Sequence, residues 1–339
     1  MTRSFTLFLA CASWIGCGTS TGEERAPPAS PLTPVPGPTG SPRVAVSAAR
    51  GSDAVQAPEV TQSSPSDVET LVELFPDGTP MLRREVRRDE NGIQNHGAFT
   101  RWHLNGEVAE EGRYVDGEKH GRYVLRHDTG FKQSETHYVH GKAQGLAYRW
   151  DEVGQEQLVA RYEDGVLHGH YQEWLPTGLL GAEGDYDHGQ RIGAWVHCDL
   201  LGERQEGAYV ADEREGLWKS WAPSGELKLE EHYRADVLHG RTTEYGARGH
   251  KTADREYVNG VAEGVQTEWY PNGAKKSETR FRKGRADGPI AYWYENGQQQ
   301  LEGEIRKGRR EGPWKFWNED GSLDRSRSGL YRAGKKLEG

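Results

Sequence analysis

Cysteine, surplus basic charge and long apolar runs are all scarce in this chain. Three cysteines occur in 339 residues, at positions 11, 17 and 198. That number and spacing exclude a disulfide framework and a zinc-type cysteine cluster. The net charge is -9, which argues against a general nucleic-acid binder, because such a protein needs a basic face to displace counterions from phosphate. The locally basic runs 280–285 and 306–310 read as solvated strand faces. Hydrophobic residues make up only 34%, too few for a thick globular core but suited to a thin, largely solvated sheet. Beyond the first residues, no stretch carries a helical period.

Glycine, by contrast, is abundant at 44 residues, and it recurs at a fixed interval. One series runs Gly97, Gly121, Gly145, Gly169, Gly193, Gly216, Gly240, Gly264, Gly288 and Gly312. A second follows nine residues later each time, from Gly106 to Gly321. The period is 24 residues, and only the step from Gly193 to Gly216 is one short. Such a period marks a repeat architecture, in which each unit touches only its neighbours.

With the first glycine as position zero, position five reads Trp102, Arg126, Trp150, Trp174, Cys198, Trp221, Tyr245, Trp269, Trp293 and Trp317. Position seventeen is mostly Tyr, with an acidic residue three before it. Asn105-Gly106, Asn272-Gly273, Asn296-Gly297 and Asp320-Gly321 mark hairpin turns, because both residues of such pairs tolerate positive φ. A Gly-x-x-x-Gly turn, as at 117–121, opens the next unit. The expectation is an all-β fold: an elongated, single-layer antiparallel sheet of about eleven tandem hairpins over 69–339. At about 4.8 Å per strand, ten full units give a length on the order of 100 Å. The first unit, 72–95, and the last, 321–339, are atypical.

Tyr138-Val139-His140-Gly141-Lys142-Ala143-Gln144-Gly145 and Trp269-Tyr270-Pro271-Asn272-Gly273 carry a resemblance to the MORN repeat family. The second motif is similar to its bacterial variant, found in proteins called YwqK-family antitoxins. The resemblance implies an interaction or scaffolding sheet, with membrane association in some members, and no reaction. Arg126 and Cys198 at the Trp position, and Asp212 and Asp236 at a turn-glycine position, depart from the pattern.

The aromatic ladder is the feature with binding potential. Trp102, Trp150, Trp174, Trp221, Trp269, Trp293 and Trp317 are expected to form the repeat core together with the position-seventeen tyrosines. A second stripe at position two includes Phe99, Tyr123, Tyr171, Trp195, Trp218 and Trp314, and by strand parity it points to the opposite face. A single layer cannot bury both faces, so Tyr123, Tyr171, Trp195, Trp218 and Trp314 are the candidate partner-binding aromatics.

Nothing in the pattern singles out catalytic, cofactor or metal-binding residues. His96, His120, His168 and His239 share the slot before the glycine, read as a polar turn position. Equivalent slots stand about 10 Å apart, too far to share an ion. Cys198 reads as a small apolar substitute for Trp. The run 329–335 imitates a phosphate loop, but Lys336 replaces the Ser or Thr and no helix follows.

Residues 1–16 read as an export signal: Arg3, then an apolar run over 5–15 that is too short to span a bilayer. Gly16-Cys17 resembles a bacterial lipoprotein signal, which implies lipidation of Cys17. Gly18 after it implies sorting to the outer membrane. Cys11 is a second candidate, and an ordinary secretory signal leading to a secreted or periplasmic protein is the alternative. Nine of the chain's 16 prolines lie between 27 and 65, so residues 17–68 read as a disordered, semi-extended tether. The expected function is a non-enzymatic interaction or scaffold protein of the cell envelope. It would bind a protein partner, with an antitoxin or immunity role implied by the resemblance. The alternative is binding of a carbohydrate or cell-wall polymer.

Overall fold

A computed structural model of the chain describes residues 68–90 and 92–338. The export signal, Cys11 and Cys17 lie outside the described residues, as does the tether apart from Val68, which opens the first strand. Val68–Leu74 pairs with Pro80–Asp89, which pairs with Gly92–Trp102, and that strand with Val108–Val115. The same antiparallel succession continues in chain order to Arg309–Phe316, followed by Gly329–Arg332 and Lys335–Lys336. Among the described residues the only helical element is a single 3-10 turn, Ala247–Gly249. The expected all-β hairpin array is thus what the chain forms: one open antiparallel sheet.

Two kinds of turn alternate along it. The short turns hold two residues, both left-handed: Asp116 and Gly117 (φ 51° and 83°), His140 and Gly141 (47° and 74°). This is the turn whose twist matches that of paired strands. Asp212 and Asp236 stand where most units have glycine, at φ 70° and 62°. Each carboxylate reaches back to the preceding hairpin. Asp212 accepts from the Arg191 amide and Nε at 2.9 and 2.8 Å, and Asp236 from Arg214 at 3.1 and 2.8 Å. These links offset the strain of a left-handed non-glycine residue.

The long turns differ from expectation. In the turn 127–131 the Gly130 amide donates to the His127 carbonyl, and the His127 amide to that of Phe131, both at 2.9 Å. Only the glycine is left-handed (φ 86°), and Asn105, Asn272 and Asn296 keep negative φ. The Asn-Gly pairs therefore serve a turn that ends in a bulge. Their asparagines bond both ways instead: Asn272 Oδ1 accepts the Ala274 amide, and its Nδ2 donates to the Glu295 carbonyl of the next hairpin, both at 2.8 Å.

The position-zero glycine is also not in a turn. The turn is complete at Gly141, and Gly145 (φ 77°) lies inside strand Lys142–Trp150 where the pairing skips, from Tyr138↔Ala143 to Thr136↔Ala147. It is a bulge residue. The slot before it is accordingly a strand position, and its residue accepts the amide of the first short-turn residue one strand pair away. His96 Nδ1 takes Asp116, Gln144 takes Asp164, Glu215 takes Ala235, and Glu263 takes Lys283, at 2.8 to 3.3 Å. Any acceptor of the right reach satisfies that amide, which explains why His, Gln and Glu alternate there.

The one short unit has a simple cause. In the other units up to the altered last one the pairing slips at position five, as between Glu173 and Trp174. Between Gln190–Cys198 and Arg204–Val210 it runs without a slip. The missing residue is the bulge residue, so the strands keep their faces.

Burial reverses the expected roles of the two aromatic stripes. The buried side chains include Tyr123, Trp195, Trp218 and Trp314 at position two and Tyr209, Tyr233 and Tyr331 at position seventeen. Tyr171 is half-buried, and Trp102, Trp150, Trp174, Trp221, Trp269, Trp293 and Trp317 are all half-buried. The reason is glycine on the neighbouring strand. Gly112, Gly184, Gly207 and Gly303 lie beneath Tyr123, Trp195, Trp218 and Trp314, so close that a Cβ would meet ring atoms at 2.1 to 2.3 Å. The indole Nε1 of Trp195, Trp218 and Trp314 then donates to the carbonyl just past that glycine, each at 3.2 Å. Position-seventeen tyrosines close the sides edge-on. Tyr186 and Tyr209 flank Trp195 at 5.1 and 6.0 Å, contacts worth about 0.5–1.5 kcal/mol each beyond area burial. Rings cover rings, so no second layer is needed.

Candidate functional site

The position-five row is an aromatic surface left half-open to solvent. Each member sits at the end of a strand, just before a long turn. Its backbone is pinned by the preceding hairpin: His127 Nε2 donates to the Trp150 carbonyl at 3.1 Å, Tyr270 to that of Trp293 at 2.9 Å and Tyr294 to that of Trp317 at 2.8 Å. Parity holds, since Tyr148 at position three stacks on Trp150 at 5.6 Å and 14°. The row is therefore on the face opposite the Gly–aromatic core.

Charge is built into the row in a repeating way. Lys132 lies 5.4 Å from the Trp150 ring, Arg204 4.8 Å from Trp221 and Lys275 5.2 Å from Trp293. Each cation also holds the acid two or three residues on. The distances are 2.6 Å for Lys132–Glu135, 2.5 Å for Arg204–Glu206 and 2.7 Å for Lys275–Glu278. Arg122 binds Glu135 through both oxygens, at 2.8 and 3.0 Å. Those bonds, with help from Lys132, bring the Glu135 pKa down to about 2. A cation over an indole adds about 0.5–1 kcal/mol at an exposed site and fixes the ring's tilt.

Departures from the row keep its chemistry local. Arg126 pairs with Glu111 at 3.1 Å, and the Tyr245 hydroxyl donates to Glu230 at 2.7 Å. Burial first, and Glu230 second, push that phenol up to about 12. Cys198 is half-buried with its thiol raised by burial, away from the thiolate form a nucleophile needs. A hollow of ≈ 460 Å³ lies beside Trp150, walled by His127, Gln133, Arg149, Asp151 and Pro176.

Of the sequence-based partner-binding aromatics, Tyr123, Trp195, Trp218 and Trp314 are buried with their rings on glycine, whereas Tyr171 pairs with Ala160 and stays half-buried, as open as the position-five row. The signal that separates the stripes is an eleven-residue offset from glycine to aromatic: Gly112 and Tyr123, Gly184 and Trp195, Gly207 and Trp218, Gly303 and Trp314.

No curated protein matches this chain. Among solved structures, a Photorhabdus luminescens Tc holotoxin pore is 12% identical over 80% of this chain and 16% of its own, with a TM-score of 0.16. The TcdB2-TccC3-TEV structure is 13% identical over 80% of this chain and 15% of its own, also at 0.16. The chain thus spans about a sixth of the length of the chains it matches. Three stretches, 95–116, 214–235 and 262–283, match the MORN repeat variant, each running from just before a bulge glycine to the first residue of a short turn.

Proposed function

We propose that this chain is a non-enzymatic interaction or scaffold protein of the cell envelope, binding a protein partner along the position-five row. The observation that carries the reading is the half-open indole row, whose members Trp150, Trp221 and Trp293 each carry a cation paired with a carboxylate and stand three hairpins apart, about 30 Å at about 10 Å per hairpin. A partner surface with apolar side chains and both charge signs at about that spacing would meet an indole, a cation and an acid at each of these three places. Aromatic and Arg anchors of this kind contribute most to protein interfaces.

The test is a quantitative capture from envelope extract with the intact protein and a Trp150→Ala/Trp221→Ala/Trp293→Ala variant. A specific protein recovered by the first and lost with the second supports the reading. Equal recovery by both, with the fold intact by circular dichroism, ends it. An antitoxin or immunity role, implied by the family resemblance, requires the captured partner to be a toxin acting outside the cytoplasm.

The Trp150–Tyr148 stack beside its polar-walled hollow favours a second reading, a carbohydrate or cell-wall polymer laid on the rings. Tryptophan fluorescence unmoved by peptidoglycan or polysaccharide fragments would rule that out. The membrane anchor and outer-membrane placement rest on Cys17 and its neighbours. Incorporation of a labelled lipid precursor, abolished by Cys17→Ala, is the expected result.

A further inference from the structure

The short-turn edge brings together residues that the 24-residue period keeps in different classes. His168 occupies the slot before the bulge glycine, and His188 opens the short turn twenty residues on. In that slot His96 and His239 accept the turn amide through Nδ1, each at 3.3 Å. His168 does not: its Nδ1 is buried and has no hydrogen-bond partner. That nitrogen faces Asp187 Oδ1 at 3.3 Å, while Nε2 lies 3.3 Å from Glu163 Oε2. In the neutral tautomer with its proton on Nε2, Nδ1 carries a free lone pair. His188 Nδ1 approaches the same Asp187 oxygen at 2.6 Å, and the two imidazoles meet edge-on at 5.1 Å.

We propose that His168, Asp187 and His188 form a binding site for a divalent transition-metal ion of the Zn²⁺ type. One ligand atom from each lies within 4.8 Å of the other two. Donors placed tetrahedrally about 2.0–2.1 Å from zinc stand about 3.3 Å apart, so small side-chain rotations bring all three into place. Two imidazoles and one carboxylate suit zinc and its neighbours, whereas magnesium and calcium prefer all-oxygen cages. Glu163 then serves as the outer carboxylate that fixes the tautomer and orientation of a ligating imidazole. The His188 side chain is 82% exposed, so the fourth position opens to water and the ion can enter. Binding would tie strand Val166–Trp174 to the short turn at His188 and Gly189.

The chain contains its own control. His120 and His140 meet in the same way at 5.5 Å, and His120 Nδ1 also lacks a partner. Val139 stands where Asp187 stands, and although Glu118 lies 3.9 Å from His140 Nδ1, among the described residues no three donors gather there.

The experiment is titration of the intact protein with Zn²⁺, and with Co²⁺ as a spectroscopic probe. One ion per chain is expected, with Co²⁺ bands that lack thiolate charge transfer. His188→Asn, which keeps a residue tolerant of positive φ, and Asp187→Asn should each weaken binding at least tenfold with circular dichroism unchanged. Glu163→Gln should weaken it by roughly 10–100-fold, and His140→Asn should change nothing. No binding by the unaltered chain, binding that survives His188→Asn, an equal loss in His140→Asn, or a thiolate band pointing to cysteine would each overturn the proposal.

Discussion

The stretches 171–233 and 240–293 have the same backbone and different interiors. In the first, Tyr171, Tyr186, Trp195, Tyr209, Trp218 and Tyr233 form a continuous aromatic cluster. His197 lies nearly parallel between Trp195 and Trp218, at 5.4 and 6.3 Å. Arg191 and Arg214 lie 3.9 and 3.8 Å from the Tyr209 and Tyr233 rings. In the second stretch position two holds Thr242, Gln266 and Ile290, and the buried side chains are small: Thr242, Thr243, Ala253, Ser277 and Thr279. There the cross-strand links are ionic. Arg241 binds Asp254, and Arg255 sits between Glu244 and, at 3.6 Å, Glu268. Turns and ladder hydrogen bonds are thus sufficient to set the fold, while the side chains decide how firmly each hairpin is held. Exposed ion pairs contribute about 0–1 kcal/mol, less than a buried indole, so the aromatic stretch is expected to be the more stable one.

The sharpest way to break this contrast is Trp195→Ala, expected to cost about 3–5 kcal/mol in denaturant unfolding. Gln266→Ala, at the same position of the ionic stretch, should cost under about 1 kcal/mol. Equal losses would mean the aromatic cluster holds nothing that the ionic stretch lacks. Next comes Gly184→Ala, which drives a methyl into the Trp195 ring at about 1–3 kcal/mol. The same change made on Trp195→Ala should be near neutral, and a double-mutant cycle reads the difference as coupling.

The pair can also be transplanted. Thr279→Gly alone should destabilise by about 0.5–1 kcal/mol through backbone entropy, and adding Ile290→Trp should recover that loss as the new indole covers the new glycine. No recovery by thermal unfolding would show that the pair needs its tyrosine neighbours. The smallest effect concerns Asp254, whose carboxyl is held below its ordinary 3.8, first by the Arg241 hydrogen bond. A lowered folded pKa stabilises above the unfolded value and loses that contribution as pH falls from about 3.8 through the lower folded one. Arg241→Ala should raise the Asp254 titration toward 3.8 by NMR and flatten the acid limb of stability.

The period, the strands and the glycine of each turn were legible in the sequence, because they are local: two residues decide a short turn, and position nine decides a long one. The covered face was not. Two aromatic stripes had equal claims, and the deciding residue, Gly184 for Trp195, belongs to the next strand. The same cause hid the His168–His188 approach. A comparison of equivalent positions cannot reveal contacts between positions that are not equivalent. The Asn-Gly pairs misled for a different reason, since a dipeptide that tolerates two positive φ values is not obliged to use both.

The slip at position five, absent beside Cys198 although the flanking units keep it, has a consequence for how such a chain can change. A deletion in an ordinary strand would turn every following side chain to the wrong face. Here the bulge is a spare residue at the end of each hairpin, and the pairing of Gln190–Cys198 with Arg204–Val210 shows one already given up. Gly207 still lies beneath Trp218 afterwards. Single-residue losses are thereby absorbed hairpin by hairpin, and the length of the array can drift without disturbing which face each side chain takes.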